Sequence, residues 1–233
     1  MSRPRITNPV PRSAAALLAL LLVAGGCNHR TEGAAKDSAS AGSTDINTAQ
    51  GEQLRLVPPA TWALTSASKQ GPFARAQYLR PPPDSDGQPP GSQAVTETLT
   101  LEQLDPDGLS DPLAFLENLA AEQAQRCDDF NSIVISSGFE NGYPSAVRLL
   151  RCPRRRVNNT ASVSMAKAIA GNDRYYLLVF EKRAAAAGSE PLAHVSESDI
   201  ASWSLYLRQA TVCDSRDREH PCTAPSPATQ RAP

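Results

Sequence analysis

Apolar and polar positions alternate with a period of two along most of the chain between residues 51 and 181, and with a helical period in two places. Leu54 to Val57 reads as a short strand closed by Pro58-Pro59. Trp62 to Ser66 and Phe73 to Leu79 read as two more, around a turn at Lys69-Gln70-Gly71. From Ala94 to Leu104, Val95, Leu99 and Leu101 share one face and Thr96, Thr98 and Thr100 the other. Glu97 falls on the apolar face, which points to a sheet edge, where a charge deters strand pairing. Asp111-Pro112 then supplies an N-cap followed by a first-turn proline. Leu113, Leu116, Ala120, Ala124 and Cys127 follow at helical spacing, so Cys127 is expected to face inward from the last turn.

Two hairpins follow the helix. Ser132 to Ser136 and Ala146 to Cys152 flank Asn141-Gly142, the dipeptide that best tolerates the two positive φ angles of a tight hairpin turn. In simple register that turn places Asn131 opposite Cys152. Ala161 to Ala170 and Arg174 to Glu181 flank a turn at Gly171-Asn172-Asp173, with Ala161, Val163, Met165 and Ile169 alternating with small residues. Residues 183–190 read as a loop or short turn. Ser196 and Asp199 then form a capping-box start for a last helix, with Ile200, Trp203 and Leu207 as its buried stripe. Hairpin-linked strands with two interspersed helices predict an α+β fold, a mostly antiparallel sheet with both helices packed on it.

The flanks do not belong to that domain. Residues 1–12 carry Arg3, Arg5 and Arg12 and no acid, and Ala14 to Ala24 is an 11-residue apolar run. This is the layout of a secretory signal, too short for the about 20 apolar residues of a membrane span. Leu22-Val23-Ala24-Gly25-Gly26-Cys27 resembles a bacterial lipobox, with Ala24 where Leu is commonest. The resemblance implies cleavage after Gly26, lipidation of Cys27 and anchoring by its acyl chains. Lipoproteins retained in the inner membrane of enteric bacteria usually carry Asp after the cysteine, so with Asn28 the resemblance implies the outer membrane, facing the periplasm. Residues 28–50 are small and polar, with Ile46 the only large aliphatic, and read as a flexible tether. The expected organisation is a signal at 1–26, lipidated Cys27 with a tether to residue 50, a domain at 51–213, and a disordered tail at 214–233.

Composition adds exclusions. The 23 basic and 24 acidic residues give a net charge of −1, which argues against a protein that coats nucleic acid. Loss of residues 1–26 removes three arginines and leaves 20 basic against 24 acidic side chains. With Cys27 lipidated, four cysteines remain, an even number for an oxidising compartment. Of the three pairings, Cys127–Cys152, which suits the hairpin register, and Cys213–Cys222, which closes a short loop around His220 and Pro221, are favoured. A metal site at Cys213, His220 and Cys222 lacks a fourth ligand.

Catalytic chemistry is thin. There is no Gly-x-Ser-x-Gly elbow, Walker loop or GxGxxG, and His194 is the one histidine inside 51–213, in a Pro/Ala loop. Asp128-Asp129 and Asp105/Asp107 read as solvated turn residues. The unusual feature is Arg148, Arg151, Arg154, Arg155 and Arg156, with Arg126 near through the helix end. It reads either as a solvated turn around Pro153 or as an anion-binding edge for phosphate, a polymer or an acidic partner. Trp62 and Trp203 read as core anchors, and Tyr175-Tyr176 as alternating faces of one strand.

The element order resembles that of the PsbP-like and DcrB-like group. Leu56-Val57-Pro58 leads to Trp62, two hairpins follow a helix, and a helix with Trp203 closes the domain. The resemblance implies a PsbP-like architecture and a non-catalytic accessory protein of a membrane assembly. The expectation is therefore a membrane-anchored envelope lipoprotein acting as an interaction or assembly module, with a protein partner and no cofactor, metal or nucleic acid. A carrier of a lipid or small amphiphile and a hydrolase are the alternatives. Oligomeric state is left open.

Overall fold

The structure is a computed structural model that describes residues 51–81, 95–185 and 195–222. The signal, Cys27, the tether, most of the proline-rich loop, His194 and residues 223–233 lie outside the described residues.

The elements in chain order are β1 (Glu52–Arg55), β2 (Ala63–Gln70), β3 (Phe73–Leu79), β4 (Thr96–Leu104), α1 (Pro112–Ala124), β5 (Cys127–Asp128), β6 (Asn131–Glu140), β7 (Tyr143–Cys152), β8 (Arg154–Arg155), β9 (Thr160–Ala170), β10 (Tyr175–Ala185), α2 (Glu197–Gln209) and β11 (Thr211–Asp214). Seven strands form one antiparallel sheet in the order β2-β3-β4-β10-β9-β7-β6. Two small ribbons, β1–β11 and β5–β8, stand outside it. The fold is α+β with a large antiparallel sheet and two helices.

The helices cover opposite faces. On one face Leu99, Leu149, Met165, Leu178 and Phe180 pack with Trp203 and Leu207 of α2. On the other, Ala146, Leu150, Ala166, Ala168 and Leu177 pack with Leu116 and Ala120 of α1. This explains why β9 is buried at ten of its eleven positions although its sequence alternates. The small residues between Val163, Met165 and Ile169 do not face water. They let α1 approach the sheet closely, and Ala166 and Ala168 are fully buried there.

Local chemistry set the helix starts. The Asp111 carboxylate accepts from the Leu113 and Ala114 N–H groups at 2.8 and 3.3 Å, and Ser196 with Asp199 forms a reciprocal capping box. Asn141 and Gly142 take φ of 48° and 80°. Tyr175 and Tyr176 go to opposite faces. Phe180 lies between Trp62, Trp203 and Tyr206, at ring separations of 5.4, 5.7 and 5.1 Å.

Several expectations need correction. β2 runs on to Gln70, so its turn to β3 is Gly71-Pro72. Glu97 is not at an edge: β4 is paired on both sides, and Glu97 meets Arg80 at 3.0 Å and Lys182 at 3.5 Å. Val95 precedes β4 and is exposed. Cys127 belongs to β5 rather than to the last turn of α1. Ile135 is a bulge, which shifts the β6–β7 register so that Asn131 faces Arg151 instead of Cys152. β1 and β11 pair only with each other, and residues 214–222 are not a loose tail. The Asp214 N–H donates to the His220 carbonyl at 2.8 Å, and the domain extends to Cys222.

Candidate interaction surface

The arginine run sits where β7 passes through Pro153 into β8, beside the end of α1. Arg154 and Arg156 converge on the Asp128 carboxylate, at 3.0 and 2.9 Å, and hold it below the usual carboxylate range, Arg156 foremost. Arg156 also donates to the Gln125 carbonyl. Arg155 meets Glu181 at 2.7 Å and Ser162, and Arg148 meets Ser132 and, at 3.8 Å, Glu117. Arg151 is exposed on β7. Four of the five predicted guanidiniums thus engage a carboxylate of the same chain. The arrangement suits stapling β5 to β8 and α1 more than presenting free cations to an outside anion. Cys127 and Cys152 reinforce the same corner, joined across a Cα separation of 5.6 Å.

The second polar cluster closes the opposite end of the domain, and sequence reasoning missed most of it. Glu52 is buried, and its carboxylate accepts from the backbone N–H groups of Asn172, Asp173 and Arg174 in the β9–β10 turn. Burial nonetheless raises its pKa, because desolvation outweighs the three donors. Arg216 bridges Asp173 and Asp214, and His220 meets Asp217 at 2.7 Å. The His220 ring packs against Tyr143 at 4.8 Å. Burial, then the Glu52 and Asp214 carboxylates, push the Tyr143 hydroxyl up to about 12. Cys213 and Cys222 are joined with Cα atoms 4.9 Å apart, so the Cys213, His220 and Cys222 set is not a ligand group. Among the described residues no cluster of His, Cys, Asp and Glu has a metal-holding arrangement.

Lys167, also missed, is 0% exposed in the middle of β9. Its Nζ donates to the Glu140 carboxylate and to the Leu207 and Ala210 carbonyls, at 2.7 and 2.8 Å for the last two. It therefore caps the C-terminus of α2 from within the core and ties it to the β6–β7 hairpin. Burial lowers the Lys167 pKa more than Glu140 raises it. The signal in the sequence was a lysine at an inward position of β9, between Met165 and Ile169.

β6 is an edge of the seven-stranded sheet, and it is exposed at eight of its ten residues. Ile133 is 52% exposed, Val134 40% and Phe139 74%. No residue from Asn131 to Phe139 carries a charge. Edge strands ordinarily carry lysine, proline or a covering segment, because their open N–H and C=O groups template pairing with another chain. Among the described residues the blunting device here is the Ile135 bulge. The other edge, β2, is also exposed, but apart from Leu64 it is built of small and polar residues and carries Lys69.

A depression of about 260 Å³ lies over β2, β3 and β4, lined by residues that include Gln70, Phe73, Arg75, Glu102 and Gln103. It is shallow and of mixed polarity. Between the sheet and each helix, where a carried amphiphile would lie, the space is taken by side chains such as Leu116, Met165, Leu178 and Leu207, all 0% exposed. Among the described residues no helix is long and apolar enough to cross a membrane.

No family model matches the chain, and no curated protein matches it. Among solved structures it is similar to LpqN, described as involved in cell envelope biogenesis of Mycobacterium tuberculosis. That similarity has 12% identity and a TM-score of 0.32, over 60% of this chain and 75% of that one.

Proposed function

We propose that the chain is a lipid-anchored protein of the bacterial envelope whose domain serves as a non-catalytic interaction or assembly module. The observation that carries this reading is the β6 edge. It is an open strand, uncharged from Asn131 to Phe139, with exposed Ile133, Val134 and Phe139, on a sheet whose central strands are covered on both faces. Such an edge has backbone groups free to pair and apolar side chains that gain by leaving water. The N-terminal pattern supports the anchor: Cys27 would carry the lipid, residues 28–50 would form the tether, and Asn28 favours the outer membrane. The element order around Trp62 and Trp203 supports the PsbP-like resemblance, and with it an accessory role in a membrane assembly.

The test is chemical crosslinking of the tagged full chain in intact cells, followed by mass spectrometry of what co-purifies. The Cys27→Ser chain is the localisation control. A dominant envelope protein partner that is lost in the control supports the reading. A retained lipid or small amphiphile with no protein would replace it with the carrier.

A further inference from the structure

The partner that the β6 edge fits best is a second copy of the same edge. We propose that two copies of the chain associate through β6 as a two-fold homodimer, their 131–140 strands pairing antiparallel into one continuous sheet. This rests on reading β6 as the interaction surface and names what covers it.

The backbone supplies the first argument. Asn141 and Gly142 make a two-residue turn, and Glu140 and Tyr143 flank it. The next pair is Phe139 with Pro144. Proline has no N–H to give, and it occupies a position where the ladder needs none. The Phe139 N–H and C=O therefore point away from β7, toward the open side. The same alternation turns Ser137 outward, and beyond the Ile135 bulge Ser132 and Val134. Donors and acceptors are thus presented along both halves of the strand, and an extended antiparallel strand satisfies them.

Charge supplies the second. An acidic or basic peptide finds little complement along β6, because residues 131–139 are uncharged and Glu140 is held by Lys167; the exposed Arg151 lies beside one end only, opposite Asn131. An identical strand meets no repulsion. In a two-fold pairing the two Glu140 residues lie at opposite ends of a ribbon about 33 Å long.

Side-chain placement supplies the third. Val134 pairs with Arg148 and Phe139 with Pro144, positions that lie with Ala146 and Leu150 on the α1 face of the sheet. The bulge is what brings residues 134 and 139, five apart, to one face. Pairing about the strand centre brings Val134 of one copy toward Phe139 of the other, on the same face, so each exposed apolar group covers its counterpart. A β6–β6 contact is also closed, whereas β6 joined to β2 would propagate into open fibres.

The test is sedimentation equilibrium of the full chain in mild detergent, with the full-length Cys27→Ser chain run without detergent in parallel. The native chain is expected to dimerise with concentration. Val134→Lys/Phe139→Lys and Val134→Glu/Phe139→Glu, each alone, are expected to raise the dimer dissociation constant about tenfold or more, since like charges then oppose each other across the strands. Mixing the two is expected to restore a dimer, and Ser66→Lys on β2 is expected to leave it unchanged. Circular dichroism and intact disulfides confirm that each variant is folded. A native chain that stays monomeric, charged variants that dimerise as before, or open-ended polymers would each overturn the homodimer. A monomer overturns the homodimer alone, because the interaction reading is judged by what is captured from cells.

Discussion

Replacing Lys167 by methionine separates the lysine's stem from its charge. Methionine keeps a long flexible chain in the fully buried site, so the packing between β9 and α2 is nearly preserved. What disappears are three donated hydrogen bonds. The Ala210 carbonyl is left without this partner at the end of α2, whereas the Leu207 carbonyl keeps the Ala210 N–H at 3.2 Å. One stranded carbonyl costs about 1–3 kcal/mol. Breaking a buried ion pair from one side costs about 3–5 kcal/mol. Two effects reduce the sum: Glu140 is 27% exposed and regains water, and the desolvated ammonium is gone. The expected net loss is about 3 kcal/mol. With a urea dependence of about 2 kcal/mol/M, the unfolding midpoint falls by about 1.5 M. Trp203, on α2, reports the transition by fluorescence. Lys167→Met/Glu140→Gln should recover part of the loss, since the glutamate no longer lacks a cation. A Lys167→Met midpoint unchanged from the native chain would refute the idea that Lys167 caps α2.

Gly142→Ala should be strongly destabilising, because φ is 80° and the added Cβ would lie 2.1 Å from His220 Nε2; an unchanged melting temperature would contradict the packing of residues 214–222 on the hairpin. Opening Cys127–Cys152, separated by 25 residues, should cost about 3.5 kcal/mol by loop entropy, and Cys213–Cys222, separated by 9, about 2.7. The second should yield first to mild reductant, as Cys222 is partly exposed while Cys127 and Cys152 are buried; thiol labelling with mass spectrometry gives the order. Burial raises the pKa of Tyr143, to about 12, and of Tyr175, Tyr176 and Tyr206 further. Their stabilisation is complete below the unfolded tyrosine value of about 10 and is lost as pH rises through the folded values. Lys167, with a lowered folded pKa, has the opposite sign, gaining stability up to about pH 10.4, so the phenols dominate above that. Phenolate absorbance of these four tyrosines should therefore rise together with loss of circular dichroism, and their titration near pH 10 in a folded chain would contradict this.

What could be read from the sequence was local. Asn141-Gly142, Asp111-Pro112 and the Ser196–Asp199 box each carry their conformation in two to four residues, and the structure has all three. What was missed depends on distant partners. The Ile135 bulge has no turn or glycine signature in the apolar run Ile133-Val134-Ile135, yet it moves Asn131 from Cys152 to Arg151. β11 is a strand only because β1 lies beside it. Glu97 looked like an edge residue because the positions of Arg80 and Lys182 were unknown. The arginine run was visible, but the carboxylates that engage it, Glu117, Asp128 and Glu181, come from three separate segments. Ile133 and Val134 fall in the predicted strand Ser132 to Ser136 and Phe139 beyond it; the strand runs on to Glu140, and only the strand order leaves all three at an edge.

The most direct measurement is photo-crosslinking from Phe139 in living cells that carry the full chain, with Ser66 on the opposite edge as the reference position. One dominant adduct is expected from Phe139, at the mass of a homodimer, none from Ser66, and loss of the adduct in Val134→Lys. No specific adduct from Phe139, or equal adducts from both edges, would contradict the claim that β6 is the interaction surface.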